Sequence, residues 1–139
     1  MVAPKNAMSL LTDARIAELL SAAWDVRRNA HVIGPTKVGC AVLISDGRVF
    51  VGCNVEHRFR SHDVHAAVNA ITTMVSSGGT GIIAVAIAAE RDRFAPCGAC
   101  MDWIFQFCEN GDCAIIWQSW PDGPTKMYMA RELMPFYPE

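Results

Sequence analysis

The sequence has no excess of positive charge. Twelve Lys and Arg stand against fourteen Asp and Glu, a formal net charge of −2 at pH 7. Nothing in that balance supplies the basic footprint that binding a DNA or RNA backbone requires. No apolar run approaches the ~20 residues of a membrane-spanning helix. Met1 to Leu10 carries a single Lys and no apolar stretch of signal-peptide length. A nucleic-acid polymer and a membrane are therefore excluded as expected partners, and a cytoplasmic location is expected. Internal repeats, charge blocks and Gly/Ser-rich linkers are also missing. The 139 residues are thus expected to form one domain, 1–139, with residues 1–11 expected to be disordered.

Cysteine, by contrast, is plentiful. Six of them in a chain expected to stay in a reducing compartment point to metal or thiol chemistry, not to a disulfide framework.

Periodicity and punctuation give the elements. Thr12 or Asp13 caps a helix reaching about Arg28, with Ile16, Leu19, Leu20, Ala23 and Trp24 at helical spacing. Val38 to Ser45 and Arg48 to Gly52 read as strands of a hairpin turning at Asp46-Gly47. Asp63 caps a second helix that runs to about Val75 and ends at Gly78-Gly79. Ile82 to Ala89 has the length and continuous apolarity of a strand covered on both faces. Pro96 opens a third helix from Cys97 to about Cys108. Cys113 to Gln118 is a further strand, Pro121 to Pro124 a turn, and Tyr128 to Met134 a short helix. The order α-β-β-α-β-α-β-α specifies a layered α/β sandwich around one sheet.

The chemistry centres on Pro96-Cys97-Gly98-Ala99-Cys100. Two cysteines three apart at a helix start share one face, and the helix N-terminus favours their thiolates. The spacing suits zinc and equally suits a redox dithiol. His65-Ala66-Ala67, in the first turn of the preceding helix, offers a third ligand. Two helix N-termini bearing one His and two Cys can converge on a tetrahedral ion and leave its fourth position to water. Zinc deaminases carry H-x-E followed by P-C-x-x-C. Here every element of that pattern is present except the glutamate, where Ala67 stands.

With these residues in place, the chain resembles the small cytidine deaminase family, and is also similar to blasticidin S deaminase. Val38-Gly39-Cys40-Ala41-Val42-Leu43, Gly52-Cys53-Asn54-Val55-Glu56, the Asp122-Gly123 turn and Arg131-Glu132-Leu133-Met134-Pro135 carry the likeness beyond the metal motif, over roughly residues 12 to 137. The resemblance implies an α/β fold, a three-layer α/β/α sandwich around one mixed sheet of about five strands. It implies Zn2+ held by His65, Cys97 and Cys100 in each subunit. It implies a small-molecule nucleoside whose sugar is held by Asn54 and Glu56 and whose base faces Ala66. The reaction implied is hydrolytic deamination of cytidine or deoxycytidine, releasing ammonia. A homotetramer is implied too, with Trp103 and Phe107 on the third helix as a contact.

Ala67 occupies the catalytic position of the expected proton shuttle. Loss of a positioned acid–base group costs ~10²–10⁴-fold in rate, so the chain as written is expected to be nearly inactive. Two accounts remain open, a ligand-binding pseudoenzyme and an introduced Glu→Ala change in an active deaminase. The intact remainder of the site favours the second.

Other departures concern the substrate. The loop Gly34-Pro35-Thr36-Lys37 lacks the family's aromatic residue. The loop His57-Arg58-Phe59-Arg60-Ser61-His62 is unusually basic. Arg58 and Arg60 therefore admit a modified cytosine nucleoside, a nucleotide or a nucleoside-antibiotic intermediate as the alternative substrate, whereas Glu56 favours a ribose. Val68 and Met101, at positions where the family often has Arg, accompany a formally neutral Cys₂His site. A reading of a different class makes Cys97 and Cys100 the dithiol of an oxidoreductase, which needs no zinc. Cys40, Cys53, Cys108 and Cys113 read as small core residues. His31 and His62 read as loop residues, and Trp103, Trp117, Trp120, Phe136 and Tyr137 as core or interface.

Overall fold

The computed structural model describes residues 8–137; residues 1–7, part of the segment 1–11 expected to be disordered, lie outside the described residues. Helix α1 spans Asp13–Arg27 and is capped by Thr12, whose side chain accepts the Arg15 N–H. The hairpin forms where Asp46-Gly47 places it. Strand β1 (Val38–Ile44) pairs antiparallel with β2 (Val49–Cys53), from Gly39↔Cys53 to Leu43↔Val49. Gly47 takes φ +93° in the turn, a backbone region open to glycine at no steric cost.

Helix α2 (Ala66–Ser76), strand β3 (Ile82–Ala89), helix α3 (Gly98–Phe107) and strand β4 (Ala114–Gln118) follow. The strands form one mixed sheet in the order β2-β1-β3-β4-β5, with β3 and β4 parallel and the other pairs antiparallel. The last strand is the one that periodicity did not give. Tyr128 and Met129, expected in a helix, belong to β5 (Lys126–Met129), and helix α4 is only Ala130–Leu133. The open edge of β4 explains this. Ile115 pairs with Tyr128, and the Tyr128 ring stacks on Trp117 at 5.7 Å. Tertiary pairing overrides a local helix signal here.

Side chains alternate across the sheet, as the two-residue period demands. Ala41, Leu43, Ala84, Ala86, Ala88, Ala114 and Ile116 pack under α1 with Leu19, Leu20 and Ala23. Cys40, Val42, Ile44, Val85, Ile87 and Ile115 pack on the other face against α2 and α3. The α1 face is mostly alanine, so that helix lies close to the sheet. A Cβ on Gly39 would overlap the Ala23 carbonyl. Ile16 and Trp24 complete this layer as half-buried neighbours, joined by Met8 and Leu11, whose apolar side chains pack here although residues 1–11 were expected to be disordered. The result is the α/β/α sandwich that the resemblance implied.

Candidate metal and substrate site

Two helix starts meet at one end of the sheet. His65 is the N-cap of α2, and Cys97 is the N-cap of α3, where its sulfur accepts the Cys100 N–H at 3.3 Å. Both residues were expected inside their helices and instead stand just before them. Asp63 does not cap α2. Val55 and Val64 exchange two backbone hydrogen bonds, 2.9 and 2.8 Å, and hold the chain extended past Asp63. The helix begins only at Ala66. Pro96 likewise precedes the cap of α3 instead of opening its first turn.

The three donors converge. His65 Nδ1 lies 3.2 Å from Cys100 Sγ and 3.4 Å from Cys97 Sγ, and the two sulfurs are 3.1 Å apart. A tetrahedral zinc with Zn–S ~2.3 Å would set the sulfurs ~3.8 Å apart. The trio therefore needs to open by less than an ångström to hold such an ion. Two thiols and one imidazole, with two helix N-termini behind them, suit a zinc with one open position. Burial first, and then the neighbouring Cys97 sulfur, push the Cys100 thiol above its ordinary value when no cation is present. A divalent ion reverses that balance by favouring the thiolate.

A cavity of about 550 Å³ opens in front of the donors, within the ~300–1,000 Å³ range of small-molecule sites. Asn54, Glu56, Ala66 and Ala67 all line it, together with the three donors. Ala66 and Ala67 form the first turn of α2 and are each 3% exposed. Asn54 Oδ1 accepts the Val38 N–H at 2.8 Å and its Nδ2 donates to the Thr36 carbonyl at 3.0 Å. Glu56 Oε1 accepts the N–H groups of Ile33 (2.7 Å) and Gly34 (2.8 Å), and Oε2 pairs with Arg60 at 3.1 Å. Both residues expected at the sugar thus also fasten the 33–38 segment to the cavity wall.

The acidic groups of this wall are well supplied with donors. The Gly34 and Ile33 N–H groups, then Arg60, hold the Glu56 carboxyl below its ordinary value. The His57 N–H, then Arg60, does the same for Asp63. Arg60 is accordingly tied to two carboxylates, and Arg58 is not part of the cavity lining.

A family model for the cytidine and deoxycytidylate deaminase zinc-binding region matches residues 14–114. The chain belongs to this deaminase family. A cytidine deaminase of Sporosarcina psychrophila is 32% identical over 102 residues, 72% of this chain and 74% of that protein. One from Mycobacterium tuberculosis is 36% identical over 99 residues, 70% of this chain and 69% of its own length. The crystal structure of cytidine deaminase from Burkholderia pseudomallei superposes with a TM-score of 0.78 at 26% identity, covering 91% of this chain and 98% of that one.

Sequence reasoning about this deaminase-family chain missed the opposite wall of the cavity. Arg91, Asp92, Arg93 and Phe94, between β3 and α3, line it. Their signal was positional. They follow the carboxyl end of a central strand, where open α/β sheets bind ligands, and they run directly into Pro96-Cys97. Of the remaining cysteines, Cys40, Cys108 and Cys113 are buried as expected, while Cys53 is half-buried. Trp117 is buried, whereas Trp103, Trp120 and Phe136 are exposed.

Proposed function

We propose that this fold and site serve the zinc-dependent hydrolytic deamination of a cytosine nucleoside, cytidine or deoxycytidine, and that Ala67 leaves this chain without its proton shuttle. The observation that carries the reading is the convergence of His65, Cys97 and Cys100 on a cavity whose floor includes Ala66 and Ala67, in a chain of this family. Zinc, when bound, lowers the pKa of a water to ~7 and so supplies the nucleophile at neutral pH. The protein's own part is to orient the base against the first turn of α2, to hold the sugar near Asn54 and Glu56, and to move protons from position 67. A methyl group cannot do the last of these.

Ala67→Glu is the test. The substituted protein, zinc-loaded, should release ammonia from cytidine or deoxycytidine at a rate ~10²–10⁴-fold above the present chain. Zinc retained without turnover in either form would support a ligand-binding pseudoenzyme. Absence of zinc with a reducible Cys97–Cys100 dithiol would replace the reading with an oxidoreductase.

The same proposal includes a cytoplasmic homotetramer. Trp103, 39% exposed on α3, and half-buried Phe107 are its suggested contact. A monomer by light scattering would remove that part alone.

A further inference from the structure

The cavity holds charge in two arrangements. On one wall Glu56 and Asp63 are answered by Arg60 and by three backbone N–H groups, from Ile33, Gly34 and His57. On the other wall Arg91, Asp92 and Arg93 line the same space, two cations to one acid. Among the described residues, neither guanidinium makes an ion pair or a side-chain hydrogen bond. The one acid between them in the chain, Asp92, is not paired with either. Arg93 sits at φ +56°, in a left-handed region that a residue with a long side chain rarely adopts. Two guanidiniums without a partner, two residues apart in the cavity lining, suit a phosphate or carboxylate.

A phosphate or carboxylate offers such a pair a countercharge as well as acceptors, and a neutral nucleoside offers only acceptors. We propose that Arg91 and Arg93 form an anion subsite of the deaminase cavity and select a cytosine nucleoside that carries a phosphate or a carboxylate. The inference rests on the deaminase reading and sharpens it from nucleosides in general to anionic ones. It also relocates the basic selector from the 57–62 loop, where Arg60 is already engaged, to the turn that enters α3.

The present chain suits a binding test, because Ala67 permits ligand binding without turnover. Zinc-loaded protein is titrated calorimetrically with cytidine, cytidine 5′-monophosphate and the 5′-carboxylic acid of cytidine. At low ionic strength at least one anionic ligand should bind about tenfold or more tightly than cytidine, since hydrogen bonds to charged groups contribute that much. The ligand that shows the preference identifies phosphate or carboxylate as the group recognised. The preference should shrink with added salt. In R91A/R93A the ratio of anionic to neutral affinity should fall toward one, whereas R58A should keep it.

Equal affinity for all three ligands overturns the subsite, as does a preference that survives R91A/R93A. Ammonia release from cytidine by the A67E protein reports separately on the deaminase reading. Turnover there with no anionic preference sinks the subsite alone. No binding of any of the three ligands and no turnover sinks both.

Discussion

The two walls of the cavity are built by different physics. The metal wall consists of His65, Ala66, Ala67, Cys97 and Cys100 at two helix starts, backed by the buried faces of α2, α3 and the sheet. Its geometry follows from short-range spacing and from a packed core that resists deformation. The rim consists of the connecting segments at Thr36, 56–64 and 91–95; the first two are held by hydrogen bonds and ion pairs through Glu56, Asp63 and Arg60, whose side chain is 52% exposed, and the third has no ion pair among the described residues. Interactions of this kind are individually weak and screened by salt. The proposed function puts chemistry on the rigid wall, and the proposed anion subsite puts selectivity on the adjustable one, as is common where loops ride on a scaffold.

The sharpest way to break this contrast is at the metal. Cys100→Ser removes a sulfur ligand from the buried side of the trio and should lose zinc by orders of magnitude in affinity, because a hydroxyl does not replace a thiolate. Elemental analysis after dialysis checks this. No change at the rim should come near that effect. If Cys100→Ser kept its zinc, the donor set would be wrong and the rigid wall would lose its assigned role.

The same contrast explains what the sequence could show. The Cys97/Cys100 pair and His65 are legible because each depends on a few adjacent residues and a helix start. Thr12, the Asp46-Gly47 turn and the apolar run of β3 are legible for the same reason. The β5 strand was not, since its stability comes from the edge of β4 and from Trp117, not from residues 126–129 themselves. Asp63 looked like a cap because Asp caps helices, but the Val55–Val64 pairing moves the cap two residues on, to His65. Glu56 meets partners 22 and 23 residues earlier, and no local pattern announces them. No local pattern marks Arg91 and Arg93 either; only the fold places them on the cavity.

A second test probes how the scaffold supports the metal wall. A Cβ on Gly52 would overlap the Ala70 N–H and the Asn69 side chain of α2. Gly52→Ala should push that helix off β2 and destabilise the fold by ~1–3 kcal/mol, the usual cost of overpacking. Thermal unfolding with and without zinc measures it. The loss should be partly recovered by zinc, because a metal that binds only the folded chain stabilises it by mass action. A Gly52→Ala protein as stable as its parent would show that α2 sits less tightly than the rigid-wall picture requires.

The smallest expected effect belongs to the rim. The N–H groups of Gly34 and Ile33, and then Arg60, lower the Glu56 carboxyl from its ordinary value of 4.5. A group with a depressed folded value contributes stability above its unfolded value and loses it as pH falls through the folded one. The contribution of Glu56 is therefore complete above about pH 4.5 and fades below it, with Asp63 acting in the same sense from 3.8. Glu56→Gln keeps an acceptor for Ile33 and Gly34 but removes the charge facing Arg60. Its unfolding midpoint should fall slightly below the parent's at neutral pH, and the gap should close on acidification. High salt should narrow the gap further, since Arg60 is half exposed. A gap that widened toward low pH would contradict the sign of the shift. A loss as large as that of Gly52→Ala would mean that the rim is structural and not adjustable.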